Sequence, residues 1–178
     1  MSLSTLEEIA EYIVSNGKGI LAADESNPTC GKRFDSIGVE STETNRRDYR
    51  EMLFRAPGMQ DNIGGVILFD ETIRQSAEDG TPLVELIKNQ GALPGIKVDK
   101  GLAPLDSSSE ETVTQGLDGL DERCKEYVSL GAKFTKWRAV IKISDNIPSD
   151  ECIEANMRAL AKYAKIVQNN NMVPMVEP

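Results

Sequence analysis

The chain has 178 residues, 39% of them hydrophobic and 28% charged, with a formal net charge of -9. That length and balance support a sizeable core and exclude a disordered or fibrous chain. An acidic total argues against nucleic acid, whose phosphates require a basic face, and apolar runs as short as Gly65–Phe69 and Val173–Val176 exclude a membrane span.

In chain order, Ser4-Thr5-Leu6-Glu7 reads as a capping box opening a helix with Leu6, Ile9, Ala10 and Ile13 on its apolar face and Gly17 as its stop. Met1–Leu6 carries no basic segment followed by an apolar one, so no secretory leader is expected. Gly19–Ala23 is a short apolar run ending in Asp24-Glu25, and Ser41–Phe54 is a charged helix expected to turn Tyr49, Met52 and Leu53 inward. Ile63–Phe69 is a second apolar run, ending in Asp70-Glu71. Thr81-Pro82 reads as an N-cap with proline in the first turn, opening a helix over Pro82–Asn89. Leu93–Val98 is a third strand, ending in Asp99-Lys100, and a long loop over Val98–Thr114 follows. Gln115–Leu130 has helical spacing; Ala132–Ile141 is a fourth strand carrying Lys136, Trp137 and Arg138. Ser149 caps a long helix whose expected buried stripe is Ile153, Met157, Leu160, Ala161, Ala164 and Val167, and Met172–Glu177 is a fifth strand.

Strands alternating with helices imply parallel βα units, whose strands are buried on both faces and read as continuous apolar runs. An open doubly wound sheet and a (β/α)₈ TIM barrel both fit the pattern. The long loop and the insertion-rich first connection favour the barrel, of which residues 1–178 supply the first five strands within one domain.

The chemistry gathers at strand ends, where such folds build active sites: Asp24, Glu25, Asp70, Glu71, Lys97, Asp99, Lys100, Lys136, Arg138 and Glu177. Side chains on a strand alternate, so Lys97 with Asp99, and Lys136 with Arg138, share a face. Lysine and arginine together suit an anionic substrate, and crowded cations lower a lysine pKa toward a nucleophilic amine, with Asp24 and Glu177 as proton-transfer candidates. The chain has no histidine, which removes the commonest zinc ligand and the usual partner of a nucleophilic cysteine or serine. Cys30, Cys124 and Cys152 are spaced as reduced structural thiols of a cytosolic protein. No phosphate-binding glycine motif follows a strand, which disfavours nucleotides.

Six blocks in order resemble class I fructose-bisphosphate aldolases: GILAADES at 19–26, GGVILF at 64–69, GIKVDKG at 95–101, TQGLDGL at 114–120, KWR at 136–138 and VPMVEP at 173–178. The resemblance, which runs from about Leu6 to Pro178, implies a TIM barrel, a cytoplasmic homotetramer, and metal-free, cofactor-free cleavage of fructose 1,6-bisphosphate to dihydroxyacetone phosphate and glyceraldehyde 3-phosphate. It implies that Asp24 assists imine formation, that Lys136 stabilises negative charge as the carbinolamine forms, and that Glu177 shuttles protons. By the same resemblance Lys97 and Arg138 bind the C6 phosphate, Ser26 and Thr29 lie near on the first loop, and Arg33, on a short helix, binds the C1 phosphate. Arg46 has a weaker claim, against that of a solvated helix charge. The family's imine-forming lysine sits on the strand after Glu177, so it is expected outside these residues. The natural protein is therefore expected to continue, and residues 1–178 alone to be inactive. A transaldolase-like lyase using Lys97 or Lys136, and a scaffold binding actin or adhesin tails as members of the family do, are the alternatives. A metal-dependent aldolase lacks its histidines.

Overall fold

The computed structural model describes residues 3–107 and 110–178. The chain runs α1 (Leu6–Val14), β1 (Gly19–Ala23), α2 (Asn27–Asp35), α3 (Glu43–Phe54), α4 (Met59–Asn62), β2 (Ile63–Leu68), α5 (Asp70–Ile73) and α6 (Leu83–Asn89). It continues with β3 (Leu93–Lys97), β4 (Leu102–Pro104), β5 (Thr112–Thr114), α7 (Leu120–Ser129), β6 (Phe134–Arg138), α8 (Asp150–Asn169) and β7 (Val173–Glu177).

The five long strands form one parallel sheet in the order β1-β2-β3-β6-β7. Each new strand joins the same advancing edge, with no reversal of order. A doubly wound sheet reverses at a switch point, whereas a barrel advances continuously, so the topology selects the barrel winding over the open sheet. Among the described residues no helix is long and apolar enough to cross a membrane.

Strand alternation divides the packing. Val66, Leu68, Ile96 and Trp137 face outward into the main core shared with α6, α7 and α8. Ile67 and Phe134 face inward and meet Ile9 and Ile13 of α1, which plugs the lower end. Two glycines make room for the Phe134 ring: a Cβ on Gly95 would lie 2.3 Å from it and one on Gly65 3.0 Å, while one on Gly64 would lie 1.9 Å from the Ile13 carbonyl oxygen. These strands are glycine-rich because a ring and a helix approach their backbones closely.

Several local expectations shift. The capping box is Thr5 with Glu8, one residue later than expected, and Ala10 is exposed. Pro82, not Thr81, occupies the N-cap of α6; the Thr81 carbonyl instead accepts from Ala77 N–H at 2.8 Å. The Val98–Thr114 loop contains the antiparallel β4–β5 hairpin, and its residues 108 and 109 lie outside the described residues. α7 begins at Leu120, because Gly116 and Gly119 take positive φ of 130° and 64° and the Lys100 N–H donates to the Gln115 carbonyl at 2.8 Å.

Two helices bury a face rotated from the expected one, keeping Leu53 of α3 and Leu160, Ala164 and Val167 of α8 against the core. In α3 the buried residues are Arg46, Arg50 and Phe54, while Met52 is 60% exposed, because the helix packs on the carboxylate- and carbonyl-rich ends of β1 and β2. In α8 the stripe is Cys152, Asn156, Ala159, Leu160, Tyr163 and Val167. Ile153, Met157 and Ala161 are exposed, because Asn156 turns toward the hairpin and donates to the Thr112 carbonyl at 2.9 Å.

Candidate active site

The strand register places the chemistry. Lys97 pairs across with Lys136, and Lys136 with Met175, so the two lysines stand side by side on the inner face. One step up, Arg138 pairs with Glu177. Asp24 immediately follows β1, which ends at Ala23 opposite Leu68.

Lys136 Nζ lies 3.1 Å from Asp24 Oδ2 and 3.2 Å from Glu177 Oε2, joining three strand ends that are up to 153 residues apart (Asp24 to Glu177). The lysine and Asp24 side chains are 12% and 10% exposed, and Glu177 is 41% exposed. Burial works against the Lys136 charge, but Asp24 first and then Glu177 outweigh it, and its pKa is raised. The expectation that crowded cations would depress a lysine here fails for Lys136: Lys97 stands beside it, but its ammonium is in contact with two carboxylates. Lys97 Nζ is held by Asp99, at 2.5 Å from Oδ1 and 3.2 Å from the carbonyl. Arg138 Nε lies 3.4 Å from Glu177 Oε1. Each cation is thus matched to a carboxylate.

A cavity of about 730 Å³ opens at this end of the sheet. Asp24, Ser26, Thr29, Arg33 and Lys97 line it together, with Glu25, Asp70, Asp99 and Lys100. Ser26 and Thr29 hydroxyls lie 3.1 Å apart in the first turn of α2. Arg33, at the rim, bonds Glu25 and donates to Tyr49 Oη at 3.2 Å. Lys136 and Glu177 lie beside this cavity without lining it, and Arg138 lines a separate hollow with Ile141, Ile143 and Pro178. Arg46 is neither solvated nor in the cavity: it is buried and grips Glu71 with two bonds, of 2.8 and 2.6 Å.

Helical residues that the sequence did not assign to the site complete the wall. Arg123 donates to the Val98 and Gly116 carbonyls at 2.9 and 2.5 Å, bracing the turn after β3. Arg74 joins Asp70, at 3.0 Å, to Glu126, at 2.5 Å, and the Tyr127 hydroxyl donates to Asp70 at 2.8 Å. Burial, with Asp70 beside it, pushes Tyr127 up to about 12. The i, i+4 pair Arg123–Tyr127 just after two glycines was the available signal.

The family described as "Fructose-bisphosphate aldolase class-I" matches residues 5–178. A probable class 1 fructose-bisphosphate aldolase of Xanthomonas campestris pv. campestris is 55% identical over 178 residues, covering 100% of this chain and 53% of the relative. The fructose-bisphosphate aldolase of Drosophila melanogaster is 56% identical over 97% of this chain and 48% of its own length. The cytosolic fructose-bisphosphate aldolase 6 of Arabidopsis thaliana is 57% identical over 95% and 47%. A solved fructose-bisphosphate aldolase of Plasmodium falciparum, in complex with TRAP and a small-molecule inhibitor, superposes with a TM-score of 0.95 at 51% identity, over 97% of this chain and 50% of that one. The chain spans about half the length of the curated relatives it matches.

Proposed function

The chain belongs to the class I fructose-bisphosphate aldolase family, and from that we propose that it supplies the N-terminal half of a barrel that cleaves fructose 1,6-bisphosphate through an imine. The observation that carries this reading is the Lys136 ammonium held between Asp24 and Glu177 from three strand ends. An ammonium with a raised pKa stays charged, so it is suited to stabilise negative charge and not to attack a carbonyl.

In this reading the attacking amine is a lysine outside residues 1–178, brought beside Asp24. Asp24 orients the carbinolamine, Lys136 offsets the developing alkoxide, and Glu177, the most exposed of the three, moves protons to and from the carbinolamine and the C4 hydroxyl. Lys97, Ser26 and Thr29 offer one phosphate its donors; Arg138 joins them after releasing Glu177, and Arg33 at the rim takes the other phosphate. Residues 1–178 form part of one barrel domain and have no turnover alone.

Borohydride reduction of the natural protein with dihydroxyacetone phosphate, followed by peptide mapping, tests the reading. No adduct within residues 1–178 is expected. An adduct on Lys97 or Lys136 would instead make the protein a lyase of the transaldolase-like kind, and lack of fructose 1,6-bisphosphate cleavage would end the reading altogether.

A cytoplasmic homotetramer and docking of actin or adhesin tails extend the proposal; the cytosolic Arabidopsis relative supports the compartment, and the Plasmodium relative solved with TRAP supports a protein partner. Sedimentation of the natural protein and a salt-sensitive pulldown on an acidic peptide test these two extensions.

A further inference from the structure

We propose that Arg50 is a positioning residue: its guanidinium clamps the two peptide carbonyls flanking Asp24 and so holds the Asp24 carboxylate against Lys136. The proposal rests on the role given to Asp24 above. Arg50 is 0% exposed and does not line the cavity, so it cannot meet substrate itself. Its Nε donates to the Ala23 carbonyl at 3.3 Å and its Nη2 to the Glu25 carbonyl at 2.6 Å, with Glu25 Oε2 a further 3.6 Å contact.

Those carbonyls belong to the residues on either side of Asp24. β1 has paired for the last time at Ala23, so the peptide groups around Asp24 have left the sheet. The remaining approach to the Glu25 carbonyl, from the Cys30 thiol, is a weak one at 3.9 Å. Arg50 therefore fixes the backbone at the point from which the Asp24 side chain departs toward Lys136, 3.1 Å away and 112 residues distant in sequence.

Stability alone is a poor reason for this arginine. Burying a guanidinium is costly, and its Nη1 has no hydrogen-bond partner among the described residues. Phe54, one turn on and on the same buried stripe, shows that the interface accepts an apolar side chain. The planar fork is what spans two carbonyls at once; a lysine ammonium reaches one of them well and not both.

The test is a double-mutant cycle of Arg50→Lys and Asp24→Asn in the natural protein, read as kcat/KM for fructose 1,6-bisphosphate, with slow rates followed over hours. Arg50→Lys alone is expected to cost roughly 10- to 100-fold, the scale of a 1 Å misplacement at a catalytic group. In the Asp24→Asn background the same change is expected to cost less than about threefold, because the group it positions is already disabled. Equal losses in both backgrounds, or full activity of Arg50→Lys, would overturn the proposal while leaving the role of Asp24 standing. Full activity of Asp24→Asn would overturn that role, and the proposal with it. Fluorescence of Trp137 and the urea midpoint report folding, and Arg50→Gln serves as a second variant. If neither variant yields folded protein, Arg50 is a folding residue and the proposal is wrong.

Discussion

Replacing Lys136 by methionine removes a charge and little volume, so the consequence for folding is electrostatic. The charges on Lys136 and Asp24 lie 3.1 Å apart with 12% and 10% exposure, which gives about 5 kcal/mol of attraction at an effective dielectric of about 20. Desolvation of the two groups takes back part of this, and leaving the Asp24 carboxylate unpaired in its buried position costs a net ~3–5 kcal/mol. Glu177 is 41% exposed and turns to water at little cost. Urea unfolding of the natural protein at pH 7 should therefore show Lys136→Met less stable by that amount with an unchanged slope. The double variant Asp24→Asn/Lys136→Met should recover to within about 1 kcal/mol of wild type, since an amide needs no counter-ion. The sign with pH follows from the raised Lys136 pKa: the pairing contributes fully below the ordinary lysine value of 10.5 and is lost as pH climbs above it through the raised value. A loss under about 0.5 kcal/mol, or a double variant no better than Lys136→Met alone, would refute the pairing as a stabilising contact.

Gly95→Ala should destabilise by about 3 kcal/mol, since its Cβ would sit 2.3 Å from the Phe134 ring, and adding Phe134→Leu should return part of that loss in urea unfolding. Asp99→Asn should free Lys97, and inorganic phosphate should then inhibit cleavage at a several-fold lower concentration; an unchanged inhibition constant would show that Asp99 does not restrain the lysine. The Arg46 hydrogen bonds, ahead of other effects, hold the Glu71 pKa below its ordinary value of 4.5. That contribution is complete above pH 4.5 and vanishes as pH falls through the lowered value, so Arg46→Lys should narrow the acid side of the stability profile.

The inner strands were readable because parallel strands bury both faces and leave continuous apolar runs, as at Ile63–Leu68, while the edge strands β1 and β7 are half-buried and showed only as short apolar runs. The β4–β5 hairpin was not, since three residues such as Leu102–Pro104 carry no periodicity. Strand alternation placed Lys136 and Arg138 on one face, yet it specified no neighbours, and so Lys136 emerged among carboxylates instead of cations. The same limit hid the inward arginines of α3, whose partners Glu71 and the Ala23 and Glu25 carbonyls lie about 25 residues away along the chain. Arg123 escaped notice because its contribution depends on where α7 starts, which two glycines decide.

With Lys97, Lys136 and Arg138 each joined to an acid, these cations present little net field to a passing ion. A chloride or lone sulfate entering must break one of these unions and offers a single replacement. On the proposed function, a ligand with two phosphates and several hydroxyls would replace many together, so discrimination would follow from the number and spacing of its oxygens and not from how negative it is. The displaced carboxylates then stand beside fresh anionic charge, and binding should draw protons from the solution, a quantity that calorimetry in buffers of different ionisation enthalpy reads directly.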